Sequence, residues 1–434
     1  MFTKIKRIYN EYPNTFKVLT FATFIDRFGS FLLFPFFSVY ITERFGVPVT
    51  VVGFLFMILS AGSIIGSMIG GALADKYGRR GLVIIGLVAS GLGSILMGLV
   101  NDLYLFFILA GTLGVIGDFG GPARQAMVVD LLPKEKQADG FGILRVAVNL
   151  SAVFGPILGG FIASKSYLLL FIGDAASSLI TALIVYRVIP ETKPDEIDKE
   201  STDTLIKSFK GYGEVLKDWI YVLFLSVSSI TVLVYMQLNT TLSIFLTKVH
   251  GLSLGIFGLL LSTNAIMVVL FQFWITRRVS KYAPMKMMAL GSLLYMIGFG
   301  MYGFVSTIYM FFIAMIILTV GEMIAMPIGQ TAVASFSTED KRARYMAVFG
   351  FHWAVPNLFG VLLSGLVIDY IGPYWLWYFS GILSLISAIG FWLLHGATKE
   401  RFAHIKESLK IIEIPEVMEV PKVIEPIKED LHEP

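Results

Sequence analysis

No cysteine occurs in the 434 residues. That excludes disulfides, thiol nucleophiles and cysteine-bound metals. Histidine is rare too. The five present are scattered without metal-site spacing, so neither a metal nor a cofactor is expected. No Gly-x-x-x-x-Gly-Lys loop is available to cradle a phosphate, which argues against drive by ATP. No nucleophile stands with a base, so the chain does not read as an enzyme. Charge is scarce: 15% of residues are charged while 56% are hydrophobic, against about a quarter charged in a soluble domain. The net charge of +3 identifies no partner, and nucleic acid is not expected as one. Alternation with period two is also missing, which excludes a lipid-facing barrel.

What the chain has instead is hydrophobic runs of roughly 20 residues or more, the length that crosses ~30 Å of hydrocarbon. Twelve are readable, at about 16–42, 49–74, 81–100, 103–131, 140–165, 168–189, 219–247, 255–276, 285–304, 307–335, 343–370 and 374–396. Helices are the form such runs take in lipid, so the fold class expected is all-α integral membrane. The first residues, MFTKIKRIYN, lack a small-residue cleavage site, and no removable signal peptide is expected. Of the 34 Lys and Arg, 28 fall in segments that share one side if the amino terminus is cytoplasmic, and three (Arg44, Lys165, Lys248) fall on the other. The positive-inside rule then places both termini in the cytoplasm of a multi-pass cell-membrane protein.

The two halves of the chain match at a shift of 205 residues. "YLFFI" at 104–108 falls on "YMFFI" at 309–313, and "FGPILGG" at 154–160 on "FGVLLSG" at 359–365. The domains expected are a six-helix half over 1–189, a cytoplasmic linker over 190–218, a second six-helix half over 219–398 and a disordered tail over 399–434. In the linker, Leu205, Phe209, Tyr212 and Leu216 share a helical face and suggest a helix on the membrane surface. Two parallel six-helix halves around a central cavity are an architecture of secondary transporters.

Ionisable residues inside spans cost at least ~2.5–3.5 kcal/mol to insert, so they point to function. Asp26 in the first span, Asp118 in the fourth and Glu322 in the tenth lie near mid-depth, and each is a candidate proton-coupling site. Arg124 and Arg145 are the charge partners expected for Asp26 or Asp118. Arg27 points about 100° away from Asp26, toward a structural pair. Asp174 reads as a packing or surface carboxylate, and His352 as a hydrogen-bonded core residue.

Two motifs carry a family likeness. Gly71, Asp75, Lys76, Gly78, Arg79 and Arg80 resemble the signature loop "GxxxDRxGRR" of the major facilitator superfamily, with Lys76 where Arg is usual. In that family the loop latches the halves in the outward-open state and pairs with an acid ending the fourth helix, a place held here by Asp130. The eleventh helix is expected to approach Asp75 beside Gly71. Gly142, Ser151, Gly155, Pro156, Gly159 and Gly160 resemble the family's antiporter motif, with Ser at a glycine position. Small residues at that spacing let helices touch closely. The first and fourth spans resemble the drug:proton antiporter branch and its multidrug exporters, although Asp118 stands where that branch often has a mid-helix Arg. What the resemblance implies is a monomeric proton-coupled antiporter that exports amphipathic molecules. A transporter of a specific metabolite, peptide or lysolipid is the alternative, and an enzyme or channel is remote. The segment "PETK" at 190–193 is not the "PESPR" of sugar porters.

Overall fold

The structure is a computed structural model that describes residues 11–193, 213–337 and 341–412. Its regular elements are helices: α1 (Asn14–Phe45), α2 (Val49–Tyr77), α3 (Arg79–Leu99), α4 (Leu103–Gly117), α5 (Gly120–Leu131), α6 (Lys134–Ala163), α7 (Tyr167–Val188), α8 (Trp219–Met236), α9 (Leu242–Ile244), a π-turn (Phe245–Val249), α10 (Leu254–Val279), α11 (Pro284–Met301), α12 (Ile308–Ala334), α13 (Arg342–Phe349), α14 (Phe351–Tyr370) and α15 (Pro373–Ile412). Eleven spans are long and apolar enough to cross a membrane. The 18-residue α11 completes the twelve that the hydrophobic runs predict. Their backbone is satisfied along the helices, as an apolar solvent demands.

Besides the eleventh span, which is divided at Gly350 into α13 and α14, three boundaries differ from expectation, each for a local reason. The fourth span is two helices, because α4 stops at Gly117 and α5 starts at Gly120. The sequence there is Gly117-Asp118-Phe119-Gly120-Gly121, and glycine destabilises a helix by ~1 kcal/mol relative to alanine. The seventh span stops at Met236, where Gln237, Thr240 and Thr241 hydrogen-bond to the preceding turn and to one another and so compete with the regular ladder. The third difference is the tail, which is helical through Ile412 rather than irregular from 399. Arg401 anchors its start. The guanidinium makes a bidentate pair with Asp218 at 3.0 and 2.6 Å, and the Tyr345 hydroxyl donates to the same carboxylate at 2.8 Å. Residues 413–434, and 194–212 where most of the linker helix is expected, lie outside the described residues. Of its expected face Leu216 is exposed, whereas the neighbouring Val215 is buried.

The halves meet chiefly along two helix pairs, α2 with α14 and α6 with α10, with a smaller contact of α1 with α9. The start of α1, the α2–α3 turn and the end of α15 lie at one end, here the basic end. Hydrogen bonds and ion pairs between the halves, among the described residues, run from mid-depth to the opposite end. The Ser60 hydroxyl donates to the Asn357 carbonyl at 3.1 Å and that of Ser262 to the Val153 carbonyl at 2.7 Å. At the far rim Lys248 pairs with Glu43 at 2.6 Å. There the Asp369 carboxylate accepts from the amides of Val49 and Thr50 and from the Thr50 hydroxyl, at 3.2, 2.7 and 2.7 Å. It thereby caps the first turn of α2, whose own preceding residue, Pro48, supplies no side-chain cap. The far end is shut by this bonding.

Candidate functional site

The amino-terminal half concentrates charge at mid-depth. Asp26 of α1 is buried and pairs with Arg124 of α5 at 2.7 Å, and Ser178 of α7 donates to its other oxygen at 3.4 Å. Of Arg124 and Arg145, the two partners expected for Asp26 or Asp118, it is Arg124 that the fold brings to Asp26. Asp118 occupies the α4–α5 break, accepts from the Ser63 hydroxyl at 2.8 Å, and faces Gly121 in the first turn of α5. A helix amino terminus favours such an anion. Arg27 is solvent-accessible despite its depth, forms no ion pair among the described residues, and feels the charges of Arg124, Asp26 and Asp118.

Glu322 of α12 lies in the other half. It accepts from Asn264 at 2.7 Å and from the Tyr235 hydroxyl at 3.1 Å. These three residues, with Phe31, Asn149 and Pro156 of the first half, line a cavity of about 140 Å³ between the halves. Arg145 forms no ion pair with Asp26 or Asp118 among the described residues, and its charge acts on Glu322 instead. The three mid-depth acids therefore divide between an ion-paired site within one half and a polar site on the central cavity. His352 is buried, stacked on Phe349 at 3.8 Å and bonded to that residue's carbonyl oxygen, as a core histidine.

At the basic end, Arg79 pairs with Asp130, and Arg80 reaches the Tyr186 carbonyl and lies over its ring. Both arginines are held within their own half. Gly71 faces Pro122 at 3.9 Å rather than the eleventh span, so the expected approach of that span beside Gly71 is not made in this conformation. The side chain of Asp75 lies outside the described residues. Gly78 has φ +102°, a conformation glycine adopts without the penalty of a Cβ. The Glu191 carboxylate covers the start of α3 beside it, accepting from the Arg79 amide at 2.7 Å and the Arg80 amide at 3.2 Å. Lys193 donates to the Lys76 carbonyl at 2.9 Å, so "PETK" caps α3 and the end of α2.

Burial alone would raise the Glu191 carboxyl, but the amides of Arg79, Lys193, Thr192 and Arg80 outweigh it and hold it below the ordinary range. A lowered folded value means that the cap is fully present above the unfolded value and is lost as pH falls through the folded one. Glu191→Ala is expected to cost about 1 kcal/mol of local stability. Amide exchange should report it: protection at Arg79 and Arg80 falls about fivefold, with little change in α7. Unchanged protection at those two amides would show that the carboxylate is not the cap.

The small-residue motif of α6 packs in two directions. A Cβ at Gly155 would meet Phe31 at 2.5 Å, and one at Gly159 would strike the Leu32 carbonyl, both on α1. One at Gly160 would meet the Leu254 carbonyl of α10 at 2.5 Å, where Pro156 opposes Gly258. The Ser151 hydroxyl lies within hydrogen-bond distance of the Phe24 and Ala147 carbonyls. Gly142 has open space instead of a neighbour. Because the obstacle at Gly159 is backbone, Gly159→Leu must push α1 and α6 apart, at a cost of ~1–3 kcal/mol for overpacking. Loss of transport with normal membrane insertion is the expected result, checked by surface labelling beside a flux assay. Normal flux would mean that this contact tolerates separation.

Four polar residues carry more than sequence reasoning gives them. Tyr235 and Asn264 hold Glu322, and Ser63 holds Asp118; each is a polar group inside a membrane span, which is the signal that points to them. Asp174, read as a packing or surface carboxylate, is 8% exposed and is a buried group rather than a surface one.

Comparison with known proteins gives a consistent set. The family model described as Major Facilitator Superfamily matches residues 19–257 and 229–418. A relative named "Na(+), Li(+), K(+)/H(+) antiporter" from Planococcus maritimus is 24% identical over 91% of this chain and 99% of its own length. The multidrug resistance protein MdtH of Enterobacter sp. (strain 638) is 23% identical over 84% and 90%. Among solved structures, a mutant of the nucleoside transporter NupG superposes with a TM-score of 0.75 at 16% identity, covering 88% of this chain and all of that one. A bacterial homolog of the lysosomal transporter Spinster, in an inward-facing and occupied conformation, superposes with a TM-score of 0.72 at 13% identity, over 89% and 97%.

Proposed function

The chain belongs to the Major Facilitator Superfamily, and we propose that it is a proton-coupled antiporter that exports amphipathic small molecules across the cell membrane by alternating access. Its termini and basic end face the cytoplasm, it acts as a monomer, and the described state opens inward. One observation carries the reading: α5 holds Arg124 at the buried pair with Asp26 and Asp130 at the pair with Arg79. The two residues are about 9 Å apart along the helix axis, and the break at Asp118 frees α5 from α4. A proton on Asp26 releases Arg124, which turns toward Asp118, whose charge already interacts with it. A shift of α5 then loosens Asp130 from the Arg79 loop, so that the loop can engage the second half and close the basic end. Substrate in the central cavity meets Phe31, Tyr235 and the Asn264–Glu322 pair, and the stacked rings of Phe21, Phe24 and Phe28 line α1 below it. The relative named for multidrug resistance supports this substrate class.

Transport screened in parallel with a cationic dye, a sugar and a lysolipid tests the reading. Dye exclusion from expressing cells is expected; selective movement of the sugar or lysolipid would replace drug export with a specific metabolite, peptide or lysolipid role. A second reading, exchange of Na⁺, Li⁺ or K⁺ for protons, is favoured by the Asp118–Ser63 oxygens at an interrupted helix, a place where secondary transporters bind cations, and by the relative of that name. Sodium-dependent pH change in dye-free vesicles would select it.

A further inference from the structure

The amino-terminal half contains a second cavity, of about 260 Å³, away from the central one. Its walls are mostly apolar, with Phe34, Phe37, Met97 and Phe171 among them, and Asp174 of α7 supplies a carboxylate. We propose that Asp174 and this cavity form a binding site for a small lipophilic ammonium ion.

Charge balance comes first. Three acids of this half lie in one chain of interacting charges, with Asp26 acting on Asp174 and both Asp26 and Asp118 acting on Arg27, and two arginines answer them, Arg27 and Arg124. Arg124 is committed to Asp26, and Arg27 lies in reach of Asp118. Among the described residues Asp174, buried to more than nine-tenths, is left without a counter-charge, and a buried charge is costly unless it is paired. Donor supply comes second. Ser94, whose hydroxyl is within reach of Asp174, donates its proton to the Phe171 carbonyl at 3.2 Å. Ser30, also on the wall, donates to the Asp26 carbonyl at 3.2 Å. The Ser94 hydroxyl can also turn its proton to Asp174, but a neutral hydroxyl leaves the carboxylate's charge unmatched, so a cationic ligand completes the pair. Shape comes third. A bare metal ion needs a tight shell of oxygens, whereas this space is wide and apolar. An alkyl or arylalkyl ammonium fills it, with N–H groups on Asp174 and its body against the aromatic rings, whose faces attract cations. The volume falls just under the ~300–1,000 Å³ of sites for drug-sized molecules, which suits a fragment-sized one.

The test measures binding and not transport, so it stands or falls separately from the export reading. The full chain in lipid nanodiscs is dialysed against radiolabelled benzylammonium, with benzyl alcohol and sodium chloride as competitors. Saturable binding is expected, displaced by neither competitor, and weakened about tenfold or more in Asp174→Asn. Leu59→Trp, which fills the cavity and keeps the acid, should also abolish it, and it decides the matter if Asp174→Asn does not fold. Equal affinity in wild type and both variants would overturn the site. Displacement by sodium would overturn the ligand class, and loss in Asp26→Asn without loss in Asp174→Asn would move the ligand to the ion pair.

Discussion

Asp26→Asn is expected to abolish pH-driven efflux while substrate binding survives. The side chain is buried, with Arg124 at 2.7 Å and Ser178 at 3.4 Å. Asparagine preserves the volume and can still accept from Arg124, but it has no titratable proton. A coupling acid and a structural acid differ in what else is lost. Removing one partner of a buried ion pair costs ~3–5 kcal/mol when the pair is structural, a large share of the ~5–15 kcal/mol that keeps a domain folded. The structural outcome is thus a protein that inserts poorly and binds nothing. The coupling outcome is a well-folded protein whose flux no longer follows the gradient, with efflux falling by about two orders of magnitude or more, in the range typical of a lost proton-transfer group. Equilibrium binding and thermal unfolding of the same sample separate the two. Asp118→Asn should show a weaker form of the same defect, because Ser63 and the first turn of α5 can hold a neutral amide too.

The second large effect belongs to the far rim. Asp369→Ala should shift the protein from the state shut at the far rim toward one open there, which is the outward-open state in the orientation proposed above. The carboxylate crosses between the halves to cap α2, so its stabilisation exists only when the far end is shut. A capping acceptor contributes ~0.5–2 kcal/mol, and its charge at a helix amino terminus adds ~0.3–1 kcal/mol. The Lys248–Glu43 pair beside it is about two-fifths exposed on both sides and contributes at most ~1 kcal/mol. The cap should therefore dominate. Losing ~1–2 kcal/mol multiplies the outward-open population about 5- to 30-fold. Because the natural chain has no cysteine, single cysteines introduced on the central cavity report access from outside directly. Labelling should accelerate in Asp369→Ala, change less in Asp369→Asn, and barely move in Lys248→Ala. Equal acceleration in all three would mean that the rim closes through general packing.

Much of this was legible in the chain because a membrane makes strong demands on a sequence. Length and apolar content identify the spans, and the cost of burying charge makes Asp26, Asp118, Arg124 and Glu322 stand out. The pairing of Arg79 with Asp130 follows from the likeness of both segments to a family motif. Geometry across the halves was not legible. Asp369 near the end of a span looks like an ordinary surface acid until the fold brings the first turn of α2 to it, hundreds of residues away in sequence. For Asp174 the sequence leaves packing and surface open, because depth along a helix says nothing about which face is buried; the fold buries it. Arg145 illustrates the same limit. Its depth matched the acids of its own half, yet its charge is felt by Glu322 in the other. The break at Asp118 could have been suspected from its flanking glycines, but whether a glycine cluster interrupts a span depends on the packing around it.

The most direct measurement is accumulation of a cationic dye by inside-out vesicles whose lumen is made acidic. Accumulation should follow the imposed gradient, collapse on addition of a proton ionophore, and be absent with Asp26→Asn although the dye still binds. Accumulation indifferent to the gradient, or full pH-dependent accumulation in both Asp26→Asn and Asp118→Asn, would contradict proton coupling at the amino-terminal ion-pair site.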